Sequence, residues 1–556
     1  MNEVIAVDNQ IVRISKMGLQ VIVSIYVLAL FVVYPLYYEN GYYNMGEAKY
    51  TFVRSSSLVC LAICGILLLL IYFCKETGNG NLWNDFIRQM SVTDYFALSY
   101  GVVVTISYIH SPYKEVALWG YEGWYMGLMS QYLFVLIYFL VSRNMVFYKG
   151  LPYLILGTAS ITHYLAILHR FRIDPLGMYQ GIKESYFILF LSTIGQATWY
   201  SSYLCVVFPI GVVLYWTSTH ILKRILLGMY VVIGAGSLVT QNSDSAFFAL
   251  FFIIITLLLN SLHKKERFLR LLEIIILMAI SFISIGGLQI RYHQYTVLLE
   301  PLSIFCSQSI YTKYVLFIAL CIYGSIQYEV IQSYDRKKKV WQKEVLQVEI
   351  ESAWIENVSI LQRVIWGSCV GGIAVIFFLI IIVSNDWVPE WLSVLKEISY
   401  LNFNDEWGST RGFTWKVSAN VWKGYSPLYQ LFGCGPDAFV SYVYEHHYDE
   451  VTKVWNKVIL TNAHNEWFSV LLYTGVTGLI TYTGIFLSQL MRGFHVLQED
   501  IISLCVGLSI ISYMAHNFFC YQQIVCTPLI FIMIGVGEMR IRTRTKCKKV
   551  GGKNGN

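Results

Sequence analysis

Residues 17–38 read MGLQVIVSIYVLALFVVYPLYY, from Met17 to Tyr38, with no charged side chain. As a helix this run rises about 33 Å, enough to cross a hydrocarbon core about 30 Å thick. It is too long for the apolar segment of a secretory signal, and no small-residue cleavage site follows it. It reads as a first transmembrane helix.

Working outward, thirteen further runs of similar character follow at 52–73, 94–110, 126–142, 151–168, 200–217, 224–241, 245–260, 268–287, 313–333, 364–384, 465–488, 501–516 and 524–538. The composition agrees with this pattern. Of 556 residues, 56% are apolar and only 13% charged, about half the charge that covers an ordinary soluble domain. A soluble globular protein is excluded. Disorder is excluded too, because 32 Phe, 15 Trp and 42 Tyr demand burial. The predicted fold is an all-α polytopic integral membrane protein, with about fourteen transmembrane helices and a long external loop subdomain before the twelfth.

Orientation follows from where the cations lie. With the N-terminus in the cytoplasm, the connectors on that side hold Arg13, Lys16, Arg143, Lys149, Lys223, Arg224, Lys264, Lys265, Arg267, Arg270 and the run Arg336-Lys337-Lys338-Lys339. An even number of crossings then returns the basic tail, Arg540 to Lys553, to the same side, so both termini are expected in the cytoplasm. The expected organisation is a bundle over 1–384 with a cytoplasmic connector at 334–363, an external loop at 385–464, three helices within 465–538, and a cytoplasmic tail at 539–556. In the connector, Trp341, Val345, Val348 and Ile355 recur at helical spacing and fit either an inner-leaflet helix or a solvated link. The external loop is acidic on balance, and a loop of that length is uncommon unless it has a function.

The twelve cysteines form no framework. Cys60, Cys64, Cys205, Cys321, Cys369 and Cys505 sit inside apolar runs as small hydrophobes, and no Cys-x-x-Cys pair occurs. Nothing in the sequence points to nucleic acid, a cofactor or a bound metal. The run Glu445-His446-His447-Tyr448-Asp449-Glu450 is rich in potential ligands, but such runs are common on exposed helices.

Specific signals concentrate in the external loop. They are Gly408-Ser409-Thr410-Arg411-Gly412-Phe413, then Gly433-Cys434-Gly435-Pro436-Asp437, then Ala463-His464-Asn465-Glu466-Trp467, followed by Tyr473-Thr474-Gly475. In this order they resemble the bacterial O-antigen ligase and O-antigen polymerase superfamily. Further stretches, Leu118-Trp119-Gly120, Gly123-Trp124-Tyr125-Met126-Gly127, Ser192-Thr193-Ile194-Gly195-Gln196 and Tyr521-Gln522-Gln523, are similar to Gram-positive-type members. The chain departs from many ligases at Ser243-Asp244-Ser245, where they carry a Ser-Arg pair, so no arginine role transfers there. The resemblance implies a glycosyltransferase at the outer face of the bacterial cytoplasmic membrane. Its expected partners are a polyprenyl-diphosphate-linked oligosaccharide donor, a glycan or lipid acceptor, and membrane lipids.

Such a transfer needs a poised acceptor hydroxyl and cations for the departing diphosphate. Arginine suits phosphate oxygens through its two-toothed, permanently charged guanidinium. Arg411 and Arg291 are expected at the leaving group, with Arg172 and Arg170 binding substrate, although boundary arginines also snorkel to lipid phosphates. Histidine exchanges protons near neutral pH; a lone histidine at a helix start is more often structural, but the resemblance to the family's His-Asn motif makes His464 the expected base. Asn465 and Glu466 are expected to orient that ring or the sugar, Glu466 also complementing a helix start. Gly435 and Asp437, in the second motif, are expected to line the substrate site. The alternative is a transporter or flippase for lipid-linked oligosaccharide, a class that normally shows internal repeats and midplane polar groups, and the sequence displays neither. Ligase and polymerase share a donor and differ in acceptor, which the sequence leaves open.

Overall fold

The computed structural model describes residues 2–76, 87–297, 299–340, 357–456, 458–497 and 500–551. Each of the fourteen apolar runs falls on helical chain, although several of the helices extend well beyond the run. Among the described residues eleven helices are long and apolar enough to cross a membrane, and the other three runs form Leu128–Asn144, Ile501–His516 and Thr527–Gly551. The only sheet among them is a hairpin pairing Phe190–Leu191 with Gly195–Gln196. The chain is an all-α polytopic membrane protein. The tail departs from expectation, because the last helix runs through the basic residues to Gly551 instead of stopping at 538. The periodic residues Trp341 to Ile355 of the connector lie outside the described residues.

Lipid cannot hydrogen-bond a backbone, so every helix end or break near it must find a partner inside the protein. The opening run shows this. Where it turns at Pro35, the buried amine of Lys49 donates to the carbonyls of Tyr34 at 2.8 Å and Pro35 at 3.2 Å. Deeper in, Ala197–Thr217 is buried along nearly its whole length and packs against Ile501–His516. At the periphery, Val358–Ser384 buries only Val383.

Helix Val92–His110 relates the two ends of the bundle. At its start Asp94 accepts from Tyr138 Oη at 2.7 Å and pairs with Arg143 and Arg542, while Arg492 and Arg542 meet Glu538 and Arg540 meets Asp500. At its other end Ser107 Oγ donates to Tyr473 O at 2.6 Å, beneath a cap of short helices. The cap comprises Glu390–Glu397, Trp407–Gly424, Pro427–Phe432, Phe439–His446 and Tyr448–Trp455. It has its own core, in which Phe413, Val417, Val421, Phe439 and Val443 pack with Leu472 and Tyr473 of the helix below.

The seat of the cap is a broken helix. Glu466–Leu497 is interrupted at Gly475, whose φ of 67° no ordinary helix residue adopts. The freed carbonyls of Leu472 and Tyr473 accept from Cys434 N and Gly435 N, each at 3.1 Å. A Cβ on Gly475 would lie 2.2 Å from the backbone of Leu431, and one on Gly433 2.2 Å from that of Tyr473. Gly475→Ala is therefore expected to lower stability by about 2 kcal/mol or more, from left-handed strain plus a backbone clash. Gly424→Ala, with open space at the new methyl, is the control. Thermal midpoints in detergent, read by size-exclusion chromatography, should fall for the first variant only.

Candidate active site

Arg411 is presented by an unusual turn. Gly408, Ser409 and Thr410 all have φ between 59° and 70°, so the chain makes a left-handed step before it enters the helix that runs to Gly424. Gly412 follows because a Cβ there would lie 1.8 Å from Asn404 O. The guanidinium then points down at the bundle. Its Nη1 donates to Gly408 O at 2.6 Å and its Nε to Phe519 O at 3.2 Å, while Nη2 makes no hydrogen bond among the described residues. The Phe519 ring is stacked under Trp415 at 6.1 Å, which fixes the accepting carbonyl. Burial lowers the Arg411 pKa from its usual value, a cost that nearby Asp244 and Glu300 partly offset.

His464 reaches the same turn from the opposite side. It sits at φ 49°, held by a bond of 2.9 Å from its own N–H to Asn462 Oδ1. The ring stacks on Trp455 at 5.7 Å and meets Tyr521 edge-on at 5.3 Å. Neither ring nitrogen is hydrogen-bonded among the described residues. Burial, and then the charge of Arg411, hold its pKa down at about 3, so the imidazole is neutral at physiological pH with a lone pair free.

Tyr521 ties the remaining motifs together. Its hydroxyl donates to Gln196 Oε1 at 3.0 Å, and its ring meets Trp124 edge-on at 4.9 Å. Next to it, Gln522 Oε1 accepts from Gln131 Nε2 at 3.0 Å. The scattered stretches at 123–127, 192–196 and 521–523 therefore converge beneath His464.

The other expected residues divide between site and scaffold. Asn465 Oδ1 accepts from Phe468 N at 2.9 Å and caps the helix start. Glu466 is fully buried; its carboxylate accepts from Tyr482 Oη at 2.6 Å, Tyr513 Oη at 3.0 Å and Asn517 Nδ2. Gly435, at φ 124°, lets the chain pass Ser111, where a Cβ would lie 2.4 Å from the hydroxyl. Asp437 Oδ2 accepts from Tyr121 N at 2.8 Å and Met126 N at 3.1 Å, locking the tight loop of 118–127 to the cap. Arg170 is also fully buried and gives its donors to backbone carbonyls: Nε to Thr240 at 2.5 Å, Nη1 to Phe187 at 3.3 Å and Ile188 at 2.9 Å, and Nη2 to Gln241 at 3.3 Å. Arg172 is exposed and paired with Glu184. Arg291 is exposed at the end of its helix, against the ring of Tyr292, with no hydrogen bond or ion pair among the described residues. Arg411 and His464 are brought to one wall, and these other three arginines are not joined to that pair.

Sequence reasoning passed over the acidic flank. Asp244, marked only as a departure from the ligase pattern, accepts from Tyr400 Oη, and Glu300 N donates to Asn242 Oδ1 close by. Burial and the neighbouring Asp244 raise the Glu300 carboxyl. It also passed over a second Ala-His-Asn at 515–517, a legible copy of the tripeptide at 463–465. The two copies meet, Glu466 N donating to Asn517 O at 2.9 Å. In the run from Glu445, Glu445 accepts from Tyr113 Oη and His447 pairs with Glu450; no group of three potential ligands is set for a metal among the described residues.

Residues 352–483 match the family model described as O-Antigen ligase. This part of the chain is an O-antigen ligase domain. The superfamily resemblance read from the sequence is thereby borne out, and the matched family implies ligase- or polymerase-type glycosyl transfer between a lipid-linked glycan donor and a glycan acceptor. No curated protein gives a significant match to the chain. The ligase domain contains Arg411, Asp437 and His464, while the turn that meets Arg411 and His464, 516–521, lies beyond its end.

Burial pushes Asp437 up to about 7 from the ordinary 3.8. The folded protein thus holds this proton where an unfolded chain has released it, so its contribution to stability is full below about pH 4 and declines as pH rises through 7. Asp437→Asn, a neutral acceptor for the same two amides, should flatten that decline. Asp437→Ala should cost about 2–4 kcal/mol by leaving two buried N–H groups without a partner. Thermal midpoints of both variants between pH 5 and 8 check this.

Proposed function

We propose that the chain transfers a glycan from a polyprenyl-diphosphate-linked oligosaccharide to an acceptor hydroxyl, at the outer face of the bacterial cytoplasmic membrane. The observation that carries this reading is the meeting of Arg411 and His464 at one turn, Arg411 through the carbonyl of Phe519 and His464 through the ring of Tyr521. The arginine-rich network around Asp94 occupies the end of the bundle remote from the cap. By the positive-inside rule that end is cytoplasmic, as are both termini, and the cap is external.

In this mechanism the acceptor hydroxyl donates to a free ring nitrogen of neutral His464. Its oxygen attacks the anomeric carbon as the bond to the diphosphate breaks, the proton passes to the imidazole, and the electron pair leaves with the diphosphate. Arg411 faces the charge that develops, and its unbonded Nη2 makes contact as that charge grows. A diphosphate beside Arg411 also offsets the field that depresses His464, so the bound donor raises the base toward its ordinary strength. Asn465 and Glu466 position His464 by fixing the start of its helix. Arg170 acts from the scaffold, Arg172 and Arg291 from the exposed rim, and no divalent ion takes part.

His464→Ala is expected to lower transfer by about 10²–10⁴ without loss of folded protein. Arg411→Lys keeps the charge but loses the forked contact, and should be nearly as damaging. EDTA should leave the rate unchanged. Purified protein, lipid-linked donor and candidate acceptors provide the assay. Full activity in Arg411→Lys, or loss on chelation with recovery on a divalent ion, contradicts the mechanism.

A further inference from the structure

The turn His516–Tyr521 touches both members of the proposed pair, and its first residue is a histidine that the mechanism does not use. His516 is fully buried. Its tautomer follows from its partners. Asn517 Nδ2 must donate to the Glu466 carboxylate, which leaves Asn517 Oδ1 to accept from His516 Nδ1 at 2.7 Å. With the proton on Nδ1, Nε2 of the neutral ring is an acceptor, and it has no partner among the described residues. An acceptor fully buried without a donor is rare in native proteins and calls for an explanation.

The surroundings identify the missing donor. The His516 carbonyl accepts from Phe519 N at 3.1 Å, closing the turn whose Phe519 carbonyl takes Arg411 Nε. A ligand seated on the guanidinium is therefore held against the turn that His516 opens. A phosphate oxygen offers no proton to Nε2, whereas a sugar hydroxyl does. We propose that His516 Nε2 accepts a hydrogen bond from a hydroxyl of the transferred glycan, making His516 a sugar-binding residue opposite His464. The proposal deepens the function given above and rests on it.

Two substitutions separate this role from a structural one. His516→Asn keeps a donor near the Nδ1 position, and so the bond to Asn517, but removes Nε2. His516→Gln places an amide near Nε2 and weakens the other contact. If Nε2 binds sugar, His516→Asn should lose roughly tenfold or more in kcat/KM with an unchanged thermal midpoint, and His516→Gln should recover part of the loss. If His516 only braces Asn517, the order reverses, with His516→Asn near wild type, and the proposal is overturned. A second readout uses a polyprenyl-diphosphate oligosaccharide extracted from the producing cells, added without acceptor, and measures its shift of the thermal midpoint. Wild type should be protected and His516→Asn less so, while equal protection overturns the proposal. A wild type that binds this lipid but transfers nothing defeats the catalytic reading and leaves the binding comparison to decide His516.

Discussion

A helix broken at the edge of a lipid phase must return its freed carbonyls to some donor, and here that donor is the cap. The break at Gly475 exposes Leu472 and Tyr473 to Cys434 N and Gly435 N. One constraint thus explains two glycine motifs 40 residues apart and anchors the cap to the bundle. Asp437, two residues past Gly435, extends the attachment to the loop of 118–127. Only with the cap so fixed does Arg411, at its far side, descend on the same turn that supports His464.

The electrostatics follow from that placement. A guanidinium taken from water needs compensation, and Arg411 has two backbone carbonyls with Asp244 and Glu300 nearby. Its field, added to burial, keeps His464 neutral. An anion arriving at Arg411 alters both relations at once, since it competes with the carboxylates and relieves the histidine. In the proposed mechanism, binding of the leaving group and activation of the base are coupled through one residue.

How much of this was legible in the sequence differs by level. The helices were readable because a crossing is a local property: about 20 apolar residues suffice, whatever surrounds them. The meeting of Arg411 and His464 was anticipated only through motif order, because 53 positions separate them and nothing local brings them together. Arg170 illustrates the limit: a boundary arginine that looks available for phosphate is occupied by carbonyls from two distant segments. Asp244 and His516 were missed for the converse reason, since what engages them, Tyr400 for Asp244 and the turn shared with Arg411 for His516, lies far away in sequence. The repeated Ala-His-Asn was the one available clue to His516.

The central claim is that Arg411 and His464 serve one substrate in one cavity. An experimental structure of the protein in a lipid nanodisc with a non-transferable polyprenyl-diphosphate sugar tests it most directly. The account predicts the diphosphate within hydrogen-bonding distance of the Arg411 guanidinium, with the anomeric carbon on the side facing the His464 ring. A diphosphate bound at Arg291 or Arg172, with Arg411 still engaged only by Gly408 and Phe519, would contradict it.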